Sequence, residues 1–236
     1  MLELHQFKPH WGLPNASPFC MKVEAYLRLA KIEYKSVVVG DPGKGPYGKA
    51  PWIIDDGKTI PDSRFIIEYL NRKHGYPLRG DLDETDLTRH HVIGRMLDES
   101  TYWVIVSERW ILPENAPITR DALLGFIPNP MRKLVFAIAQ RGVRSSLKGQ
   151  GTGRLSRHEI DHLGKKDVDA LVTLLGDKTY FAGDKPGEID ATTMAYIAGF
   201  LKPPIKSVVA DYMRTKDNLT AYSDRMMVEV FPELSS

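Results

Sequence analysis

The residues best suited to chemistry begin with Ser17-Pro18-Phe19-Cys20. Serine is a favoured helix cap and proline a favoured first helical residue, so this segment predicts a helix that starts at Ser17. The unpaired N–H groups and the dipole at such a terminus favour an anion. A thiolate is an anion of that kind, and it is the reactive form of a thiol whose ordinary pKa lies near ~8.5. The plainer role of Ser17 is to cap its own helix.

Ala50-Pro51 and Asp62-Ser63 suit the recognition of a peptide. A residue before proline is pushed towards extended geometry, so Ala50 can offer its N–H and C=O as a strand edge. Asp62 can receive an ammonium group, while Ser63 and the N–H groups of a helix start can receive a carboxylate. A simple turn at Pro51 and a simple cap at Asp62 are the bland alternatives. Lys49 is placed to pair with a second carboxylate or to stay solvated. Trp11, Tyr102 and Trp103 are candidates for the wall of an apolar pocket, although aromatics at helical spacing usually pack a core.

Other motifs fail on context. His158-Glu159-Ile160-Asp161-His162 has the spacing of a zinc-protease helix. Glu159, however, is already the third residue of a capping box opened by Ser156, and Arg157, Asp161, Lys165 and Lys166 predict a solvated segment. Gly43-Lys44-Gly45-Pro46-Tyr47-Gly48 matches a dinucleotide fingerprint by letters, yet it leads into Lys49-Ala50-Pro51 and a strand, with no helix to receive a pyrophosphate. Neither a metal nor a nucleotide is expected.

The elements that must hold these residues follow from pattern. A strand near Leu2–Phe7, a loop, the Ser17 helix, a strand at Tyr34–Val39 and a broken stretch Gly40–Lys49 come first. A hairpin turning at Asp56-Gly57 and a helix with a predicted buried stripe of Phe65, Ile66, Tyr69 and Leu70 complete a β-α-β-loop-β-β-α order. We expect residues 1–76 to form this first domain, 77–83 a linker and 84–236 an all-helical second domain. In the second, a stripe of Leu87, Val92, Met96, Tyr102, Trp103 and Val106 predicts a long helix. Further helices are predicted over Asp121–Leu147, interrupted at Pro128 and Pro130, from Ser156 to about Leu175, over Asp190–Phe200, and in two short stretches reaching Val230.

Composition narrows the function. The 236 residues include 32 basic and 30 acidic side chains, a net charge of +2, too balanced for the basic face that nucleic acids require. The N-terminus lacks a signal-peptide pattern and no apolar run approaches the ~18 residues of a membrane span. A single cysteine, Cys20, excludes an internal disulfide and makes the cytoplasm the default compartment.

The order of elements and these motifs together resemble the glutathione S-transferases. Ser17-Pro18-Phe19-Cys20 is similar to a glutaredoxin Cys-Pro-Tyr-Cys turn with serine in first place, as in serine-type transferases. Ala50-Pro51 resembles the hydrophobic residue and cis proline of that family, and Pro61-Asp62-Ser63 its acidic-serine pair. Arg157 to Ala191, with Tyr180-Phe181-Ala182-Gly183-Asp184 ahead of Asp190, is similar to the branch of failed-axon-connections and metaxin-like proteins. The resemblance implies a thioredoxin-like N-terminal domain, glutathione as co-substrate, Ser17 at its sulfur, and Lys49, Ala50, Pro51, Asp62 and Ser63 along the peptide. It further implies an apolar second substrate between the domains and a homodimer, with a non-catalytic scaffold of the same fold as the rival. Cys20 corresponds to the resolving cysteine of redox relatives, but with serine at 17 it is expected to pack as a small apolar group. The sequence departs from the family in its short Gly40–Lys49 segment and in Gly187, which stands where a serine or threonine cap is usual.

Overall fold

The computed structural model describes residues 1–234. Strands β1 (Leu2–Gln6), β2 (Tyr34–Val38), β3 (Trp52–Asp55) and β4 (Lys58–Pro61) form one sheet in the order β2-β1-β3-β4. The β1–β2 pair is parallel and the β1–β3 and β3–β4 pairs are antiparallel. Helix α1 (Pro18–Leu29) makes the parallel crossover, and α2 (Ser63–His74) follows the hairpin. β1 alternates buried and half-buried residues, as expected of a strand with one face on a core. Asp56 and Gly57 both adopt positive φ, 50° and 77°, the backbone that a two-residue hairpin turn demands.

The rest is helical: α3 (Glu84–Met96), a π-helical turn over Leu97–Thr101, α4 (Tyr102–Trp110), α5 (Ala116–Leu124), α6 (Met131–Gln150), α7 (Arg157–Leu175), α8 (Glu188–Leu201), α9 (Val208–Arg214) and α10 (Asp217–Val230). Helix α8 is buried from Ile189 to Phe200 without a polar face, which is how a central helix reads in sequence. Helix α1 packs against it, and this contact ties the sheet half to the helical half in one apolar core. No helix of the described residues is long and apolar enough to cross a membrane.

Some expectations need correction. Phe65 does not belong to the buried stripe of α2; it is exposed, and Ile66, Ile67, Leu70 and Asn71 are the inward residues. Val92 is likewise exposed, with Ile93 and Leu97 facing the core. In both places the stripe is rotated by one residue, about 100° on a helix. The helical region placed at Asp121–Leu147 begins earlier, at Ala116, and is split into α5 and α6 around Pro128 and Pro130.

Candidate functional site

The sheet register gathers the residues expected to recognise a peptide. Trp52 pairs with His5 on one side and with Pro61 on the other. Pro51, just before β3, and Asp62, just after β4, therefore leave the sheet at the end where β1 runs out towards the loop that delivers Ser17. The Ala50–Pro51 bond is cis, as the resemblance implies. Ala50 is half-buried and Lys49 exposed. Gly45, inside the rejected glycine motif, is required for close packing: a Cβ there would lie 2.4 Å from the Lys49 carbonyl oxygen and 2.9 Å from the Trp52 ring.

Ser17 is half-buried at the N-terminus of α1 with extended backbone, and its side chain caps no helical N–H. Its own N–H donates to Asn15 Oδ1 at 3.0 Å. Asn15 is in turn buried and donates from Nδ2 to the Phe7 carbonyl at 2.7 Å, so the loop is pinned from inside. The Ser17 hydroxyl lies beside the thiol of Cys20, one turn along, and favours its ionised form. Cys20 has no exposure, and burial pushes its thiol up to about 12 against the opposing hydrogen bonds of Phe7 and Ser17. It is protonated at neutral pH, which suits a packing role.

Asp62 behaves differently. Its φ is 65°, a left-handed value that Asp tolerates better than most residues, and its Oδ1 accepts from the Arg64 N–H at 2.9 Å. The Arg64 guanidinium stands 3.6 Å from the same carboxylate. Capping is therefore realised at Asp62. Ser63, buried as the first residue of α2, lies beside it.

Two of the aromatic candidates are linked to Phe19, the second residue after Ser17. The Phe19 ring is 4.7 Å from that of Tyr102, and Tyr102 is 5.2 Å from Trp103 in an edge-on arrangement. Trp11 lies in the loop before Ser17, with the Arg109 guanidinium 5.2 Å from its ring centroid. Tyr102 and Trp103 are half-buried.

Sequence reasoning missed two buried polar groups here. Lys22 of α1 places Nζ 2.9 and 2.8 Å from the two Asp98 carboxylate oxygens, and Tyr196 of α8 donates to Asp98 Oδ1 at 2.9 Å. Asp98 sits in the π-helical turn, which turns it inward to cross-link the two halves. Arg109 of α4 is buried, donating from Nη1 to the Ala16 carbonyl at 2.5 Å and from Nη2 to the Gly199 carbonyl at 2.7 Å. A signal existed for Arg109: it lies seven residues after Tyr102, two helical turns along the same face of a helix that opens with the apolar run Tyr102–Val106.

The remaining motifs take structural roles. Ser156 and Glu159 close the expected capping box: the Glu159 carboxylate accepts from the Ser156 N–H at 2.7 Å and is held below the usual carboxylate range by the Ser156 bonds. His158 and His162 are exposed on the outer face of α7. Asp190, expected to be structural, is fully buried and accepts from the N–H groups of Phe181 (2.7 Å), Ala182 (3.1 Å) and Gly187 (2.9 Å).

A thioredoxin-like sheet joined to a helical bundle, with a serine at the first helix and a cis proline beside it, defines the glutathione transferase class, and comparisons agree. The glutathione S-transferase N-terminal domain family matches residues 18–115 and the C-terminal domain family residues 164–226. The isoprene-epoxide glutathione S-transferase of Rhodococcus sp. (strain AD45) is 31% identical, the alignment covering 96% of this chain and 98% of that protein. Failed axon connections of Drosophila melanogaster is 30% identical over 99% of this chain, which spans 59% of that protein; human metaxin-1 is 26% identical over 98% of this chain and 51% of its own length. Among solved structures, the beta-etherase LigF of Sphingobium superposes with a TM-score of 0.69 at 20% identity, covering 99% of this chain and 98% of that one. The chain belongs to the glutathione S-transferase family.

Proposed function

We propose that the protein is a glutathione transferase in which Ser17 holds the glutathione sulfur as thiolate for attack on an apolar electrophile or for cleavage of an ether or thioether. The observation that carries this reading is the state of Ser17. A serine at a helix start normally caps a backbone N–H of its own helix, and here it does not, although the N–H groups and dipole beside it favour an anion. The cis Ala50–Pro51 unit would receive the cysteinyl backbone, and Asp62 and Ser63 the γ-glutamyl group. Asp62 keeps one carboxylate oxygen beyond its capping bond. Lys49 would meet the glycine carboxylate, and Trp11, Tyr102 and Trp103 the apolar partner.

The likeness to an isoprene-epoxide transferase along nearly the full length of both chains supports catalysis. A second reading, a non-catalytic binder of glutathione or an apolar ligand, is favoured by a different observation. Phe19 packs against Tyr102 and Tyr196, Tyr102 packs in turn against Trp103, and the Ser17 hydroxyl lies beside the Cys20 thiol. Glutathione-dependent turnover of a panel of apolar epoxides, ethers and thioethers separates the two. Turnover that depends on Ser17 supports the transferase, and binding of glutathione without turnover of any member supports the binder.

A further inference from the structure

Anomalies meet in the loop that delivers Ser17. Trp11 holds φ at 59°, a left-handed conformation uncommon for a bulky residue. Its ring lies against the guanidinium of Arg109. Arg109 is 5% exposed, yet its hydrogen bonds go to two neutral carbonyls, and its Nε is buried without a partner. The carboxylate next to it in sequence, Glu108, faces the other way, 2.8 Å from Arg157 and 2.6 Å from Ser207 Oγ. Burial pushes the Arg109 guanidinium down to about 10, so it remains a cation at neutral pH.

Buried charges are ordinarily paired, because an uncompensated one is strongly unfavourable. No carboxylate lies within ion-pair distance of Arg109 among the described residues: Glu108 favours its charge only from further off and is itself engaged by Arg157 and Ser207, while one of the carbonyls Arg109 holds, Ala16, belongs to the residue directly before Ser17. We infer that Arg109 is the fixed cation of the thiol site, its missing counter-charge being the thiolate of glutathione bound at Ser17. The inference rests on the transferase reading. Arg109 acts as a positioning residue: it fixes the Ala16–Ser17 segment and supplies a field to the sulfur without touching it. On binding, the S–H bond of the thiol breaks, its electron pair stays on sulfur and the proton leaves to water; nothing is oxidised or reduced.

The groups around the cation leave that place open. On α4, Tyr102 is held protonated by burial, and its hydroxyl makes no hydrogen bond among the described residues. On α1, Cys20 is a neutral thiol, and Glu24 beyond it is bonded by Gln6, Arg28 and Tyr34. From the loop come His10, whose pKa is lowered by burial and by Lys8, and Lys8 itself, both unable to serve as an anion. Helix α8 contributes the Gly199 carbonyl.

The test is a pH titration of the thiolate absorbance of glutathione bound to the unmodified protein, to Arg109→Met and to Arg109→Lys. An opposite charge a few ångströms away moves a pKa by about 1 to 3 units. The bound thiol should therefore titrate about one unit higher or more in Arg109→Met, with about tenfold less thiolate at neutral pH, and close to the unmodified value in Arg109→Lys. A folded Arg109→Met protein that binds glutathione and titrates like the unmodified one overturns the inference and leaves the transferase reading standing. A bound thiol with no lowered pKa in the unmodified protein removes both. Should Arg109→Met fail to fold, ionic strength keeps the question open to decision, because a buried charge is screened little. The thiol pKa in the unmodified protein should then hold steady as salt rises about tenfold; an upward shift of about half a unit would assign the field to exposed lysines such as Lys49 and overturn the inference.

Discussion

Two helices of the sheet half begin at residues of similar capping propensity, and they use them in opposite ways. At α2, Asp62 turns its carboxylate onto the Arg64 N–H and adopts a left-handed backbone to do so. At α1, Ser17 keeps an extended backbone and leaves its helix uncapped by any side chain. The α1 terminus tolerates this because Pro18 has no N–H to satisfy and because Asn15 fixes the chain from behind. The terminus left without a side-chain cap is the one beside the buried Arg109. A cap present in the sequence is thus a role offered to the helix, and whether the helix takes it separates a structural serine or aspartate from one free to meet a ligand.

The largest expected effect tests that separation directly. Ser17→Ala removes a hydroxyl donor from the thiolate, and loss of a comparable donor in other active sites slows turnover about 100-fold or more. Because no capping bond is lost, stability should stay within about 0.5 kcal/mol by denaturant unfolding, the range of a neutral substitution. A loss near the ~1 kcal/mol typical of a removed cap, with turnover intact, would make Ser17 a cap after all.

A third terminus sharpens the comparison. Gly187 precedes α8, where relatives often have serine or threonine, and the structure explains the departure. A Cβ there would lie 2.6 Å from the Ala182 Cβ and 3.3 Å from the Leu78 carbonyl oxygen, while Asp190 reaches back to the Gly187 N–H. Gly187→Ser should accordingly cost about 1–3 kcal/mol through overpacking, although serine is the better cap in isolation. A rise in the unfolding midpoint would show that the 182–187 turn yields to the added atoms.

The residues that were legible in sequence are those fixed by local chemistry. Ser17-Pro18, Asp56-Gly57 and the Ser156 capping box announce themselves because turn and cap preferences act within a few residues, and the order of elements follows from them. Phe65 and Val92 were misplaced because an apolar residue one step from the stripe satisfies the same period. The partners of Lys22, Asp98, Tyr196 and Arg109 were not legible: they lie 76, 98, 93 and 90 residues away, so only the packed fold brings them together. The proposed site follows the same division: motifs suggest its peptide side, and the surroundings of its buried cation come together only in three dimensions.

Smaller effects are expected where the side chain does serve the helix. Asn caps a helix as well as Asp does and tolerates a left-handed backbone, so Asp62→Asn should leave stability within about 0.5 kcal/mol, whereas Asp62→Ala should lose about 1 kcal/mol. Both should raise the KM for glutathione, because both remove the charge proposed to meet the ammonium group. A KM raised by Asp62→Ala alone would assign Asp62 to the helix only.

Cys20 gives the finest probe of the α1 terminus, since its thiol lies against the Ser17 hydroxyl. With its pKa pushed up to about 12, its thiolate fraction at neutral pH is more than about a thousandfold below that of an ordinary cysteine near ~8.5. Alkylation by iodoacetamide at pH 8 should therefore be negligible in the folded protein and rapid in denaturant. The same shift sets a sign for stability. The folded pKa is raised, so the contribution of Cys20 is fully present below pH ~8.5 and is lost as the pH climbs from there towards 12, where the unfolded chain has already given up the proton. Cys20→Ala should flatten that alkaline decline, and a decline of unchanged steepness would transfer it to another group. Prompt alkylation of the folded protein would mean that the α1 terminus opens far enough to expose both side chains, and Ser17 would then lose the fixed position on which its contrast with Asp62 depends.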